Sequence, residues 1–366
     1  MVALSALAGE GPTSLIQAGG WFLEKAWIIP ALPAISFVFI LFFGKRMKYK
    51  GAEFGIFSIA VAFIFAICCV GQWIGQVNNA DSYSEKQEYH DEEKHSEEAG
   101  QNKIFNEEIL RTSSNEYGSV SSETMTVSAL AEEKDGYSSV GIKPVIERFT
   151  WWESGGRSFK VGIMVDGLAV MMLFVVTAIS LLVHIYSTEY VAGDRRYTHY
   201  FAFLSLFSAS MLFFVLSENI LQTIVGWELV GVCSFALIGH WWEEKPNSDA
   251  ALKAFLTNRV GDMGLLVGMI VLFWSAGSWS IVDINNAAIN NQIGQSTLLV
   301  ASLCLTAAVM SKSGQFILHT WLPDAMAGPT PVSALIHAAT MVVAGIYMVA
   351  RLYGVFFEGF DIAGSS

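Results

Sequence analysis

Long apolar segments without charge constrain the fold of this sequence more than any other feature. Residues 54–77 contain no charged side chain. A helix needs about 20 apolar residues to cross the hydrocarbon core of a bilayer, and we count about eight such segments. They predict an all-α polytopic membrane protein, because helices satisfy every backbone polar group inside lipid. The predicted spans are 27–43, 54–77, 164–186, 197–217, 219–242, 255–275, 297–320 and 331–353.

The composition agrees with a membrane body. Hydrophobic residues make up 53% of the chain and charged residues only 15%, whereas soluble proteins carry about 25% charged residues. Buried core helices of a large soluble protein are the alternative, but so many apolar runs leave little polar surface to face water. The four cysteines all lie in apolar spans without metal-ligand spacing, so we interpret them as packing residues.

The acidic charge is concentrated in one segment. Residues 77–158 hold 17 acidic and 8 basic side chains, out of a formal net charge of −12 for the whole chain. We therefore predict three regions: an N-terminal region at 1–77, an acidic and mobile insert at 78–158, and a membrane domain at 159–366. Trp151 and Trp152 suit a membrane interface. This charge pattern gives no support for nucleic-acid binding.

Basic loops predict the orientation. The loop after the first span carries Lys45, Arg46, Lys48 and Lys50, the third loop carries Arg195 and Arg196, and the fifth carries Lys245 and Lys253. Basic residues are retained on the cytoplasmic side. We therefore expect a multi-pass protein of the bacterial inner membrane, with the insert 78–158 on the opposite side, in the periplasm.

Glu228 and Lys312 stand out among the ionisable residues that lie inside predicted spans. A charge at the bilayer centre costs about 2.5–3.5 kcal/mol or more, so such residues mark functional sites by default. Glu228 lies near mid-membrane, and a structural salt bridge is its alternative role. Lys312 precedes Ser313 and Gly314, a weak helical stretch that predicts a discontinuous seventh helix. Its alternative role is a lysine that reaches the interface.

These two residues suggest a proton path. In an effective dielectric of about 20, unit charges about 4 Å apart interact by about 4 kcal/mol, or about a thousandfold in proton affinity. Movement or neutralisation of Glu228 can therefore load and unload a proton on Lys312. This pair is the central prediction of the sequence.

Further titratable residues surround this pair in the sequence. Arg259 and Asp262 share a helix face at i, i+3 spacing, and an anchoring ion pair is as plausible as a functional switch. His337 lies mid-span and suits proton relay, with a hydrogen-bonded core histidine as the alternative. His319 and Asp324 near the end of span seven predict an entry or loop-bracing cluster.

The segment 312–342, which begins KSGQFILHTWLPD, closely resembles the antiporter-like subunits of respiratory complex I and the related Mrp antiporters. The motifs at 226–231 and 258–262 are most similar to the chain L branch, the mitochondrial subunit 5 family. The resemblance covers essentially all of 20–355 apart from the acidic insert. Where Ile317 stands, the family often has proline, so the helix break is expected to depend on Gly314.

The resemblance implies a proton-translocating membrane subunit of NADH-quinone oxidoreductase. It implies Glu228 and Lys312 as the coupling pair, Asp262 as a modulating partner and His337 as a relay. No cofactor is expected in this chain. NADH, FMN, iron–sulfur clusters and quinone are expected on partner subunits, and a chain M-like subunit is expected as its membrane neighbour.

The resemblance also sets expectations for the extent of the fold. The five-span unit 197–353 resembles the first repeat of an antiporter-like fold, whereas family members continue into a second inverted repeat. The sequence is therefore expected to be a truncated form or a variant with one half-channel. An Mrp-type Na+/H+ antiporter subunit and a membrane-bound hydrogenase module are the alternative functions.

Overall fold

The computed structural model describes residues 15–17, 19–79, 141–154, 157–338 and 340–362. The chain divides into two compact units. One comprises residues 1–17 and 75–143, in which strands β1 (Leu15–Gln17) and β2 (Gly141–Lys143) pair in parallel. The other comprises residues 18–74 and 144–366 and holds the helices described below, except residues 75–79 of α3. The part of the predicted insert at 80–140, with its expected mobility, lies outside the described residues.

Helices dominate the described residues, and eight candidate spans are long and apolar enough to cross a membrane. This confirms the predicted fold class. The helices are α1 (Trp21–Glu24), α2 (Ile28–Phe43), α3 (Ala52–Asn79), α4 (Gly167–Tyr190), α5 (Tyr197–Val215), α6 (Ile220–Ile238), α7 (Lys245–Ala276), α8 (Ile281–Ile289), α9 (Gln295–Lys312), α10 (Trp321–Asp324), α11 (Thr330–Ala338), α12 (Met341–Arg351) and α13 (Tyr353–Gly359).

Local chemistry fixes several helix ends. The Asp166 side chain accepts a hydrogen bond from the Ala169 amide at 2.8 Å and begins α4. Asn219 does the same for the Gln222 amide at α6. Side chains of this type satisfy amides that have no partner within the helix. Gly277 ends α7 with a φ of 68°, a left-handed conformation that favours glycine.

A β-hairpin precedes α4 and was not predicted from the sequence. Its strands, β3 (Val145–Ser154) and β4 (Arg157–Val165), pair antiparallel with a register shift between Thr150 and Trp152. The predicted boundary at residue 158 falls inside β4. The side chains of Trp151 and Trp152 are exposed on β3. Phe159, Val161, Ile163 and Val165 recur at every second position of β4, as in a strand with one apolar face, whereas β3 mixes aromatic and charged residues without such alternation.

Two predicted spans differ from the helices observed. The sixth was predicted at 255–275, whereas α7 begins at Lys245, with Pro246 in its first turn. The predicted loop that carries Lys245 and Lys253 is therefore helical, because its polar residues occupy an exposed helix face. The eighth was predicted at 331–353, and the corresponding candidate span, Thr330–Arg351, is built from α11 and α12, with Thr340 between them at φ and ψ of −134° and −87°.

The packing of α7 against α9 positions the functional site. Gly261, Gly264 and Gly268 lie along α7, and a Cβ at these positions would meet atoms of α9, including those of Cys304 and Ser311. Small residues allow membrane helices to approach this closely. The contact therefore holds the end of α9, where Lys312 lies, against the middle of α7.

Candidate functional site

Lys312 lies at the last position of α9 and is completely buried. Its Nζ has no hydrogen-bond partner among the described residues. It lies 5.2 Å from the ring centroid of Trp227 on α6. A cation over an aromatic face is attracted to it. That contact leaves the donors of Nζ available for a proton-carrying neighbour.

The chain leaves helical geometry directly after Lys312. Ser313 follows as the C-cap, Gly314 has a φ of 58°, and Ile317 has a φ of 80°. The predicted break in the seventh span is thus present, and it lies where Gly314 was expected to produce it. One backbone carbonyl at the end of α9 has a hydrogen-bond donor: the indole of Trp321 donates to the carbonyl of Ser311 at 2.8 Å.

Glu228 lies near the middle of α6, but its ion pair is not with Lys312. Its carboxylate pairs with Nη1 of Arg259 on α7. Their side chains are 31% and 26% exposed in the isolated chain, so Glu228 is less buried than predicted. No ion pair joins Glu228 to Lys312 among the described residues. Arg259 therefore occupies the position that the sequence interpretation gave to Lys312.

Asp262 is the carboxylate closest to the buried end of this network. Its Oδ2 lies 3.2 Å from Nη1 of Arg259, and its Oδ1 accepts the indole hydrogen bond of Trp227 at 2.5 Å. Only 3% of the Asp262 side chain is exposed. The predicted Arg259–Asp262 pair on one helix face is thus present. Because Trp227 contacts both Asp262 and Lys312, its ring connects the two ends of the network.

Two cations approach the backbone of α6 at Gly231. A Cβ at this position would lie 2.7 Å from Nη2 of Arg259 and 3.0 Å from Nζ of Lys312. Glycine therefore makes room for both side chains between α6, α7 and α9. The site contains Glu228, Arg259, Asp262 and Lys312, with alternating charge and Trp227 packed beside it. We refer to these four ionisable residues as the charge network.

His337 lies in α11 and is half-buried. Its ring centroid is 6.4 Å from that of Trp321, in an edge-to-face arrangement, and Nε2 has no hydrogen-bond partner among the described residues. Trp321 also binds the carbonyl of Ser311, next to Lys312. His337 therefore approaches the lysine through an aromatic ring rather than through a direct hydrogen bond.

The predicted cluster near the end of span seven is exposed. Asp324 pairs with Lys253 at 2.6 Å, and their side chains are 46% and 44% exposed. This pair braces α10 against α7. His319 is also exposed, in the irregular segment between α9 and α10. Neither residue joins the charge network.

Sequence reasoning missed a second buried ionic group. Nη1 of Arg351 lies 2.6 Å from Asp166, and its Nε donates to the Tyr347 hydroxyl at 2.8 Å. That hydroxyl in turn donates to the carbonyl of Val215. The group ties α12 to the start of α4 and the end of α5. The sequence does show Asp166 and Arg351 at the ends of two spans. It does not show that they pair, because 185 positions separate them.

Another group lies outside the spans, between α6 and α7. His240 is buried, and its Nε2 lies 3.3 Å from Asp194. Burial lowers the pKa of His240 against the opposing influence of Asp194. Burial opposes ionisation of Asp194, but hydrogen bonds from the Arg196 amide and the Trp241 indole, together with His240, lower its pKa. This group stabilises the loop rather than the charge network.

Two protein-family models together match most of the membrane domain. Residues 217–363 match the model described as NADH:quinone oxidoreductase/Mrp antiporter, TM. Residues 151–201 match the model described as NADH-Ubiquinone oxidoreductase (complex I), chain 5 N-terminus. The first match contains all four residues of the charge network. The chain belongs to the antiporter-like family of complex I and Mrp membrane subunits.

Curated relatives agree with this assignment. The chain is 47% identical over 219 residues to NAD(P)H-quinone oxidoreductase subunit 5, chloroplastic, of Adiantum capillus-veneris, covering 58% of this chain and 30% of the relative. It is 47% identical over 211 residues to NAD(P)H-quinone oxidoreductase chain 5 of Synechocystis sp., covering 56% and 31%. The chain thus spans about a third of the length of these relatives.

Solved structures share the fold. A chain of the Mrp complex from Dietzia sp. superposes with a TM-score of 0.54 at 29% identity, over 58% of this chain and 23% of that chain. A chain of the membrane-bound sulfane sulfur reductase, an archaeal respiratory membrane complex, superposes with a TM-score of 0.63 at 17% identity, over 92% of this chain and 42% of that chain. The second match concerns the fold alone.

Proposed function

We propose that this chain translocates protons as a membrane subunit of an NADH-quinone oxidoreductase, and that the charge network performs the transfer. The observation that carries the proposal is Lys312: a fully buried amine at the end of an interrupted helix, without a hydrogen-bond partner among the described residues. The relatives named as subunit 5 or chain 5 of NAD(P)H-quinone oxidoreductases support the coupling to quinone reduction.

In the proposed mechanism, Glu228 and Asp262 compete for the guanidinium of Arg259. Asp262 favours a positive charge on Lys312, whereas the nearby guanidinium of Arg259 opposes it. When Glu228 holds Arg259, the cation is neutralised and drawn towards α6. When Glu228 takes a proton, Arg259 is released towards Asp262. Arg259 then neutralises Asp262, so the positive charge on Lys312 loses its counter-ion and the lysine releases its proton towards His337; return of Arg259 to the ionised Glu228 allows Lys312 to take up the next proton.

A relay beyond Lys312 is proposed through His337. An imidazole can accept a proton on one nitrogen and release it from the other. The irregular segment after Lys312 exposes backbone groups to which water can bind, and interrupted helices of this kind are typical of membrane ion sites. Water near Trp321 would then connect the lysine with the histidine.

We further propose that partner subunits carry the redox chemistry. NADH, FMN, iron–sulfur clusters and quinone would lie on those subunits, so the chain contributes to a translocase without holding a redox site of its own. A chain M-like subunit would be its membrane neighbour. The host membrane would be the inner membrane of a bacterium, with the insert 78–158 in the periplasm and the basic loop after α2 in the cytoplasm.

An Mrp-type Na+/H+ antiporter subunit is the second candidate, favoured by the 29% identity to a chain of the Dietzia sp. Mrp complex. The charge network would serve either function. Affinity purification from native membranes separates them: the first candidate requires co-purified flavin and iron–sulfur subunits, and the second requires Na+-dependent H+ exchange without them.

Pumping by inverted membrane vesicles tests the role of the network. Lys312→Ala should abolish most NADH-driven acidification while the assembled complex is retained. Lys312→Arg should do the same, because arginine keeps its proton in proteins. Lys48→Ala, which changes an exposed lysine outside the spans, is the matched control. Full acidification in assembled Lys312→Ala vesicles would contradict the proposal.

A further inference from the structure

Two cavities meet at Arg148, at the end of the helices remote from the basic loop after α2. The larger has a volume of about 550 Å³ and is bounded by α2, the β3–β4 hairpin, α5 and α6. The smaller has a volume of about 360 Å³ and lies beside Lys160, Glu218 and Asp283. Arg148 lines both. Arg148 is therefore within reach of a ligand in either cavity.

The larger cavity is an apolar groove as deep as one leaflet. Its lining extends from Trp27 to Ala34 on α2 and from Leu206 to Leu216 on α5. At a rise of about 1.5 Å per residue, ten residues cover about 15 Å. That is half of the hydrocarbon core of about 30 Å. The groove thus suits an acyl chain that enters from the leaflet opposite the basic loop.

Charges of both signs surround the mouth of the groove. Arg148 donates from Nε to Glu218 at 2.8 Å and from Nη2 to Ser280 at 3.2 Å. Its Nη1 group donates to no described residue. The cations along both cavities are Lys25, Arg148 and Lys160, and the carboxylates are Glu24, Glu147, Glu218 and Asp283. Such a rim offers partners to a phosphate and to an ammonium group, but gives no net attraction to a purely anionic headgroup.

We propose that the two cavities form one binding site for a zwitterionic phospholipid whose headgroup ends in a primary amine. One acyl chain lies in the groove between α2 and α5. The phosphate binds Lys25 and Nη1 of Arg148, and the ammonium group binds carboxylates of the rim. The site tethers the β3–β4 hairpin to the membrane body through Arg148, and it is independent of the proton-transfer role of the charge network.

Photocrosslinking on the assembled complex in native-membrane nanodiscs tests this site. The probe is phosphatidylethanolamine with a diazirine in its acyl chain, and labelled peptides are quantified by mass spectrometry. Labelling is expected on α2 and α5 within the groove. Ala34→Phe fills part of the groove and should lower that labelling roughly tenfold, because its ring takes up space that the acyl chain would occupy. Val38→Phe, about one turn along the same helix and outside the lining, is the matched control and should leave labelling unchanged.

Two further variants keep the test decisive. Leu229→Trp fills the groove from α6, so it replaces Ala34→Phe if that variant does not assemble. Lys25→Gln should lower labelling about two- to fivefold, the effect of one partly exposed charge contact. Equal labelling of Ala34→Phe and Val38→Phe would overturn the proposal. So would equally strong labelling by a phosphatidylglycerol probe, or labelling confined to neighbouring subunits with none on the groove.

Discussion

The carboxylate of Glu228 on α6 pairs with the guanidinium of Arg259 on α7, while the same guanidinium lies 3.2 Å from Asp262. Arg259 is thus shared by two carboxylates that differ in exposure. A shared cation can transfer its pairing from one carboxylate to the other with small side-chain movements. This arrangement separates Glu228 from Lys312 by one intervening charge.

If Arg259 connects Glu228 with Lys312, removing Arg259 should have the same effect on pumping as removing Glu228. Arg259→Gln should reduce pumping by vesicles about as strongly as Glu228→Gln, and the double variant should be little worse than either single variant. Residues that act as one unit show such non-additive losses. Proton uptake per NADH oxidised, measured with a pH-sensitive dye, gives the comparison. Losses that multiply in the double variant would show that the two residues act separately.

Gly231 provides a steric test of the same network. Gly231→Ala adds a Cβ close to the cationic groups of both Arg259 and Lys312, so both must move and pumping should fall while assembly is retained. Gly71→Ala is the matched control, because a Cβ at that helical position meets nothing within 4 Å. Blue-native gels report assembly and vesicle acidification reports pumping. Equal pumping by the two variants would show that space at Gly231 is unimportant.

Trp227 connects Asp262 with Lys312 and can be tested by removing one contact. Trp227→Phe keeps an aromatic ring near Lys312 but removes the indole donor to Asp262. A hydrogen bond to a charged group contributes about 1.5–3 kcal/mol, or about a ten- to hundredfold change in an equilibrium. The pH dependence of pumping should therefore shift, more than in Trp274→Phe, which alters an exposed tryptophan on α7. Coincident pH profiles would assign Trp227 to packing alone.

The sequence predicted the ionisable residues and the interrupted helix because both are local signals. Glu228 and Lys312 stand out in apolar runs, and Gly314 follows the lysine directly. The ion-pair partner of Glu228 was predicted wrongly. The partner of a side chain depends on the rotation of each helix about its axis. Arg259 faces Glu228 because α7 packs closely on α9 through Gly261 and its small neighbours. Spacing along one helix does not contain that information.

The other differences have separate origins. The first turns of α7 were interpreted as a loop because Lys245 and Lys253 lie on its exposed face. The β3–β4 hairpin was missed although Gly155 and Gly156, a dipeptide typical of hairpin turns, separate its two strands, because the mixed aromatic and charged content of β3 obscured the strand pattern. The Asp166–Arg351 ion pair joins distant ends of two spans. That pair depends on a contact between elements, which composition within one element does not show.

The buried His240–Asp194 contact predicts how acid affects stability. The pKa of His240 is lowered from 6.5 by burial, so the folded protein binds fewer protons than the unfolded chain just below that pH. Its contribution to stability is present above pH 6.5 and is lost as the pH falls through the lowered folded pKa. The lowered pKa of Asp194 acts in the same direction. Its contribution to stability is present above pH 3.8 and is lost as the pH falls through the lowered pKa of the folded protein.

Melting curves of the purified complex between pH 5 and pH 8 measure this effect. The wild type should lose thermal stability below pH 6.5, and His240→Gln should show a smaller loss, because glutamine does not titrate. Asp194→Asn should melt at a lower temperature throughout, since it weakens the contacts to Trp241 and His240. Glu189→Gln, an exposed carboxyl in the last turn of α4, is the control. If His240→Gln keeps the full acid dependence of the wild type, the titrating group lies elsewhere in the complex.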